Sequence, residues 1–164
     1  MELSWMGRYR ELVRALIYYS NSSNRGLFKK TLTPIGGIAL SKPDYQILEY
    51  LCEFEGENKI MADIAHDLGI IPSIVTKSTK ALVSNGLIER YHISGNRKNI
   101  ILKPTQAGRD MYTQCYKKDI EKLFIPFFRA LDGLTDEQLK TFENAIYSLG
   151  SDWGALSDVL EKID

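Results

Sequence analysis

Only two cysteines and two histidines occur in the sequence, and neither type is clustered: Cys52 and Cys115 lie far apart, as do His66 and His92. A disulfide framework of the secreted kind is thereby excluded, no metal-ligand spacing exists, and neither a metal nor a cofactor is expected. Net charge is also missing, with 21 basic and 21 acidic side chains. No window approaches the roughly 18 apolar residues of a membrane span. The N-terminus carries Glu2, Arg8, Arg10, Glu11 and Arg14 instead of an apolar signal-peptide core, so a cytoplasmic protein without a membrane partner is expected. Glycine-rich phosphate loops, matched nucleophile–base pairs, internal repeats and low-complexity tracts are absent too, and an enzyme is not expected. What is present is 164 residues, 44% apolar and 26% charged, the length and composition of one globular domain.

The zero net charge conceals an uneven distribution. Between residues 72 and 103, Lys77, Lys80, Arg90, Arg97, Lys98 and Lys103 face a single acid, Glu89, so this segment carries +5 and the remainder −5.

Apolar periodicity orders the rest. Leu3, Met6, Tyr9, Leu12, Val13, Leu16 and Ile17 recur at helical spacing and form a stripe that needs a partner surface. Residues 21–41, with Pro34, Gly36 and Gly37, read mostly as loop or short turns. Ser41 as N-cap, Pro43 in the first turn and the stripe Ile47, Leu48, Leu51, Cys52 predict a helix over residues 42–54, ended by Gly56. Met61 to Leu68 is a short helix stopped by Gly69, and Pro72 and Ser73 open another that runs to Asn85 and stops at Gly86. Leu87–Ile93 and Asn99–Lys103, with the polar turn Ser94-Gly95-Asn96 between them, read as a β-hairpin. Thr105 caps a long helix from Gln106 to about Leu131, bent by Pro126. Thr135 and Gln138 have capping-box spacing ahead of a further helix, and Leu156–Ile163 reads as a last short one.

Helix, helix, turn, helix, hairpin is the order of a winged helix-turn-helix, and the basic segment coincides with its third helix and its wing. The fold class expected is mainly α with a small β-hairpin wing. On the third helix, spacing puts Val75, Thr79, Leu82 and Val83 on an inner stripe and Ser73, Thr76, Lys77, Lys80 and Ser84 on an outer one. Short polar and cationic side chains suit a helix laid in the major groove, where lysine donates to guanine or phosphate and hydroxyls serve either role. Arg97 and Lys98 sit near the hairpin tip, placed to enter a minor groove. The same residues on an isolated helix or turn are usually merely solvated; it is their coincidence within one module that points to double-stranded DNA.

The run Leu68-Gly69-Ile70-Ile71-Pro72-Ser73-Ile74-Val75-Thr76-Lys77, with Leu82 and then Asn85-Gly86-Leu87-Ile88-Glu89-Arg90, resembles MarR-type transcriptional regulators. The segment Asn96-Arg97-Lys98-Asn99-Ile100-Ile101-Leu102-Lys103-Pro104-Thr105, followed by Gly108, is similar to the family's wing and the start of its long helix. The resemblance implies a single MarR-like domain over 1–164, with dimerisation helices at about 1–31 and 106–164 and the winged module at about 42–105. It implies a homodimer on a pseudo-palindromic operator, acting as a ligand-responsive repressor. The DNA-binding residues it implies are Ser73, Thr76, Lys77, Lys80, Arg97 and Lys98.

Three departures from the family pattern stand out: Asn96 in place of the wing aspartate, Ile60 and Ile71 where polar caps are common, and Ser78 and Thr79 at positions usually apolar. The last two have hydroxyls able to bond carbonyls one turn back and bend the reading helix. The resemblance also implies a small phenolic or lipophilic effector, or thiol oxidation, as the signal. Tyr18, Tyr19, Tyr45, Tyr50, Tyr112 and Tyr116 are the aromatics available to line an effector cleft, although packing is the commoner role of such spacing. Cys52 and Cys115 each share a stripe with apolar residues, which favours burial over redox sensing. The alternative function is a winged-helix protein-interaction module, an antagonist of another regulator that has lost DNA binding; a hydrolase or transferase is a distant third.

Overall fold

The computed structural model describes residues 8–23, 31–32, 37–93 and 96–157. In chain order it contains α1 (Arg10–Ser23), β1 (Thr31–Leu32), β2 (Ala39–Leu40), α2 (Lys42–Glu53), α3 (Met61–Asp67), α4 (Pro72–Ser84), β3 (Ile88–Ile93), β4 (Asn96–Pro104), α5 (Gln106–Met111), a π-helical segment Tyr112–Tyr116, α6 (Lys117–Leu131) and α7 (Asp136–Ser157). Two compact units are distinguished, Met1–Cys115 and Tyr116–Asp164.

In the first unit the helix boundaries follow local chemistry. The Asp44 carboxylate accepts the Ser41 N–H at 2.7 Å to start α2, and Asp63 accepts the Ile60 N–H at 3.0 Å to start α3. Both place an anion at the positive end of a helix. Gly69 (φ +60°) and Gly86 (φ +68°) end α3 and α4 in left-handed geometry. The next N–H in each case closes back on the helix, Ile70 onto Ala65 O at 3.0 Å and Leu87 onto Leu82 O at 2.9 Å, the pattern that satisfies terminal carbonyls.

α4 packs on α2 and α3, and the β3–β4 hairpin packs against α4 and α2. Ile47, Leu48 and Leu51 of α2, Ile64 of α3, Val75 and Leu82 of α4, Leu87, and Ile88 and Leu102 of the hairpin are buried. Each fully buried aliphatic contributes roughly 1.5–3 kcal/mol, so this shared core fixes the orientation of α4.

β3 and β4 pair antiparallel from Ile88↔Pro104 to His92↔Ile100, and the register then shifts so that Ile93 pairs with Asn96. Ile60 bridges to Ile101, and the Leu102 N–H donates to Lys59 O at 3.3 Å, which ties the hairpin base to the start of α3. At the α4–α5 junction, Thr105 donates its hydroxyl proton to Gly86 O at 2.7 Å and accepts the Gly108 N–H at 3.0 Å. That close approach leaves no room for a side chain at 108, where a Cβ would lie 2.1 Å from Leu87 O.

In the second unit, Phe124 stacks on Phe128 at 5.8 Å between ring centroids, and Phe127 lies 6.5 Å from Phe142 of α7. The Thr135–Gln138 capping box forms reciprocally, at 3.0 and 3.3 Å, and opens α7.

Several expectations need correction. α1 continues past Ile17 to Ser23, because Tyr18 and Tyr19 extend the helical run before any strong breaker; Leu3 and Met6 lie outside the described residues. The segment read as loop contains the antiparallel pair Thr31↔Leu40 and Leu32↔Ala39, too short for a period-two signal. β4 begins at Asn96, three residues earlier than expected, because the register shift absorbs the extra residues; Ser94 and Gly95 are outside the described residues. Pro126 lies inside α6, as expected from the sequence. The long helix expected from Gln106 is not one regular helix: its ladder changes at Tyr112–Tyr116, where the Thr113 hydroxyl donates to Arg109 O at 2.8 Å, a back-bond of the kind that distorts helices. The last predicted helix, Leu156–Ile163, is continuous with α7 as far as Ser157 and beyond that lies outside the described residues.

Candidate nucleic-acid interface

The presentation of α4 follows from which of its residues the core takes. Val75, Ser78, Thr79 and Leu82 are buried, and Ser73, Thr76, Lys77, Lys80 and Ser84 are all exposed. The outer stripe is thus the one expected from spacing. The inner stripe differs in one member, with Ser78 buried and Val83 only half-buried. Thr79 Oγ1 is buried with no hydrogen-bond partner among the described residues, so the back-bond expected there is not formed. It forms at Thr76 instead, whose hydroxyl donates to Pro72 O at 3.0 Å. With its proton committed to the backbone, the Thr76 oxygen offers lone pairs outward, suited to accept from a base amino group.

Among the described residues neither Lys77 nor Lys80 forms an ion pair, and the first turn of α4 contains no acid. Two lysines one turn apart, with Ser73 and Thr76 beside them, give an uncompensated positive face. Lys103 behaves differently although it belongs to the same basic segment. Its ammonium donates to Glu55 O at 2.7 Å and Glu57 O at 2.6 Å, so it clamps the α2–α3 turn to the hairpin base. Arg90 is exposed on β3. Arg97 and Lys98 lie in β4, in the stretch between the Asn96 and Ile100 pairings; their side chains are outside the described residues.

Spacing missed two exposed residues here. Ile71 is 61% exposed and Ile74 36% exposed at the start of α4. The sequence signal was present, since both occupy positions where a helix start ordinarily carries a polar group.

Of the six tyrosines considered for an effector cleft, Tyr45 and Tyr50 are buried in the core, and the Tyr50 phenol donates to the Asp67 carboxylate. Tyr18 and Tyr19 are exposed on α1, Tyr112 is half-buried, and the side chain of Tyr116 is outside the described residues. On the half-buried face of α2, burial first, then the neighbouring Glu53 carboxylate, raise the Glu49 carboxyl above its ordinary range, and a Tyr112 hydrogen bond partly opposes them. Burial and the Glu55 carboxylate push the Cys52 thiol up to about 11. A thiol held protonated in this way is poorly suited to redox sensing. Cys115 is in the π-helical segment, and its side chain is outside the described residues.

The MarR family model matches residues 40–100, the stretch from β2 through most of the wing. The HTH-type transcriptional regulator YhjH of Bacillus subtilis is 24% identical over 112 residues, which cover 67% of this chain and 62% of that protein's length. Among solved structures, CouR from Rhodococcus jostii bound to p-coumaroyl-CoA is similar with a TM-score of 0.62 and 20% identity, over 93% of this chain and 95% of that one. Wild-type Lactococcus lactis ZitR in complex with DNA is similar with a TM-score of 0.57 and 19% identity, over 90% of this chain and 99% of that one. The order of elements and the core that orients α4 make this segment a winged helix-turn-helix, and over residues 40–100 it is similar to the MarR family.

Proposed function

We propose that the protein is a transcriptional regulator that binds double-stranded DNA as a homodimer at a pseudo-palindromic operator. The observation that carries this reading is the outward face of α4, where Lys77 and Lys80 stand exposed beside Ser73 and Thr76, with no acid paired to them among the described residues. In the proposed complex these four side chains enter the major groove, where lysine and hydroxyl groups reach base edges and phosphates. Arg97 and Lys98 act from the wing in the adjacent minor groove.

Exposed apolar side chains support the two-fold assembly. Leu12 and Ile17 of α1, and Phe128, Ile146 and Leu149 of α6 and α7, are exposed in the single chain. Such surface ordinarily marks a protein contact. Segments at about 1–31 and 106–164 would build the dimer, and two α4 helices would meet half-sites about one helical turn, roughly 34 Å, apart. ZitR with DNA and CouR with p-coumaroyl-CoA supply the precedent in similar folds. By the same analogy a small phenolic or lipophilic effector would release this protein from its operator, making it a ligand-responsive repressor.

Selection of genomic fragments by the purified protein tests the reading. Enrichment of an imperfect inverted repeat, with two protected half-sites about one turn apart, is the expected result. Recovery of no fragment above background at low salt would contradict it.

A further inference from the structure

The start of α4 departs from those of α2, α3, α5 and α7. α2, α3 and α7 each have a side chain at the third helical position that accepts the N–H of the residue before the helix: Asp44, Asp63 and Gln138. In α5, Thr105 accepts the Gly108 N–H. α4 has isoleucine at both corresponding places: Ile71 is its N-cap, with no side-chain cap bond, and Ile74 is its third residue. Both forgo the capping that Ser, Thr, Asp or Glu would supply there, and both project into solvent, 61% and 36% exposed. Their exposure gives the fold little in return.

Position supplies a reason. Ile74 is one turn from Lys77 on the same helix, and residues three apart are surface neighbours. Ile71 and Ile74 therefore flank Ser73 at the end of the helix that the proposed function sends into the major groove. On the floor of that groove the C5-methyl of thymine is the apolar group a side chain can meet. We propose that Ile71 and Ile74 are specificity residues that pack against thymine methyl groups and select T·A pairs at fixed places in each half-site. This rests on the proposed DNA-binding function and adds to it which base the helix start prefers.

The test uses the full chain and a duplex recovered by genomic-fragment selection. Each thymine is replaced in turn by deoxyuridine, which keeps every hydrogen-bonding group and deletes only the methyl. Replacement at one or two positions per half-site is expected to weaken binding about fourfold for each methyl that packs on isoleucine, the equivalent of roughly 0.8 kcal/mol. The same replacements should have no effect in Ile71→Ala or Ile74→Ala, according to which residue meets the methyl. Ile71→Ser combined with Ile74→Gln restores capping residues, so it should melt higher than the wild type while losing the thymine preference, which separates misfolding from the absence of methyl packing. Uracil-neutral binding throughout, or uracil penalties that persist unchanged in both alanine variants, would overturn the inference and leave DNA binding standing. A changed oligomeric state in the Ser/Gln variant, with its thymine preference intact, would assign the pair to a protein contact and likewise overturn it. Failure to bind any duplex would remove the proposed function and this inference together.

Discussion

Gly108→Ala should destabilise the protein substantially, although alanine is the better helix former. A Cβ at 108 would lie 2.1 Å from Leu87 O, 3.1 Å from Leu87 C and 3.2 Å from Leu48 Cδ1. The first contact is with backbone, so relief requires the start of α5 to move off Leu87 by about 1 Å. Thr105 spans the same junction: its N–H donates to Leu87 O at 3.0 Å and its hydroxyl to Gly86 O at 2.7 Å. Losing those two bonds costs about 1 kcal/mol each, and residual overpacking about 1–3 kcal/mol. The helix-propensity gain of about 1 kcal/mol offsets part of this. The net is roughly 2–4 kcal/mol, or a fall in Tm of roughly 10 °C for a chain of this size. Thermal and urea unfolding of the two proteins measure it. An unchanged or higher Tm for the variant, as propensity alone demands, would refute the close-approach reasoning.

Three further outcomes are expected. Thr79→Val replaces a buried hydroxyl that has no partner with a methyl of similar shape, and should raise stability by about 1 kcal/mol; a loss of that size in urea unfolding would show that the hydroxyl is satisfied. Glu49 has a raised carboxyl pKa, so the folded chain holds that proton more tightly than the unfolded one and the ionised form opposes folding near neutrality. Glu49→Gln should therefore be the more stable protein at pH 7, with the advantage shrinking as pH falls and the wild-type carboxyl takes up its proton; an advantage that is independent of pH would contradict this. Cys52, with its thiol near 11, should react slowly with iodoacetamide at about pH 7.5 in a Cys115→Ser background and speed up steadily as pH rises toward that value; fast alkylation at neutral pH would be the opposing result.

Legibility of the fold from sequence divides along local and non-local lines. Gly69, Pro72 and Gly86 set the boundaries of α3 and α4 through φ angles and missing N–H groups, and Thr135 with Gln138 opens α7, each within a few residues. These rules are enough to place the helix-turn-helix and its outer polar stripe. The β1–β2 pair is not legible, because each strand has two residues and their partners are chosen by the fold. Nor is the clamp by Lys103, whose acceptors are 46 and 48 residues away in the chain. As sequence, Lys103 adds to a basic segment; in the fold its charge belongs to the α2–α3 turn. The burial of Ser78 depends on how α4 rotates onto α2 and α3.

The dependence of DNA affinity on salt concentration, measured for the wild type and for Lys77→Ala, Lys80→Ala and Lys103→Ala on one selected duplex, shows whether the outer face of α4 meets DNA phosphates. Each phosphate contact contributes about 0.9 to the logarithmic slope, so in a two-fold assembly the removal of a lysine that meets a phosphate from both copies lowers the slope by about 2. That reduction is expected for lysines 77 and 80, and for Lys103→Ala a lower Tm with the slope unchanged. Equal reductions at all three positions, or wild-type slopes in Lys77→Ala and Lys80→Ala, would contradict it.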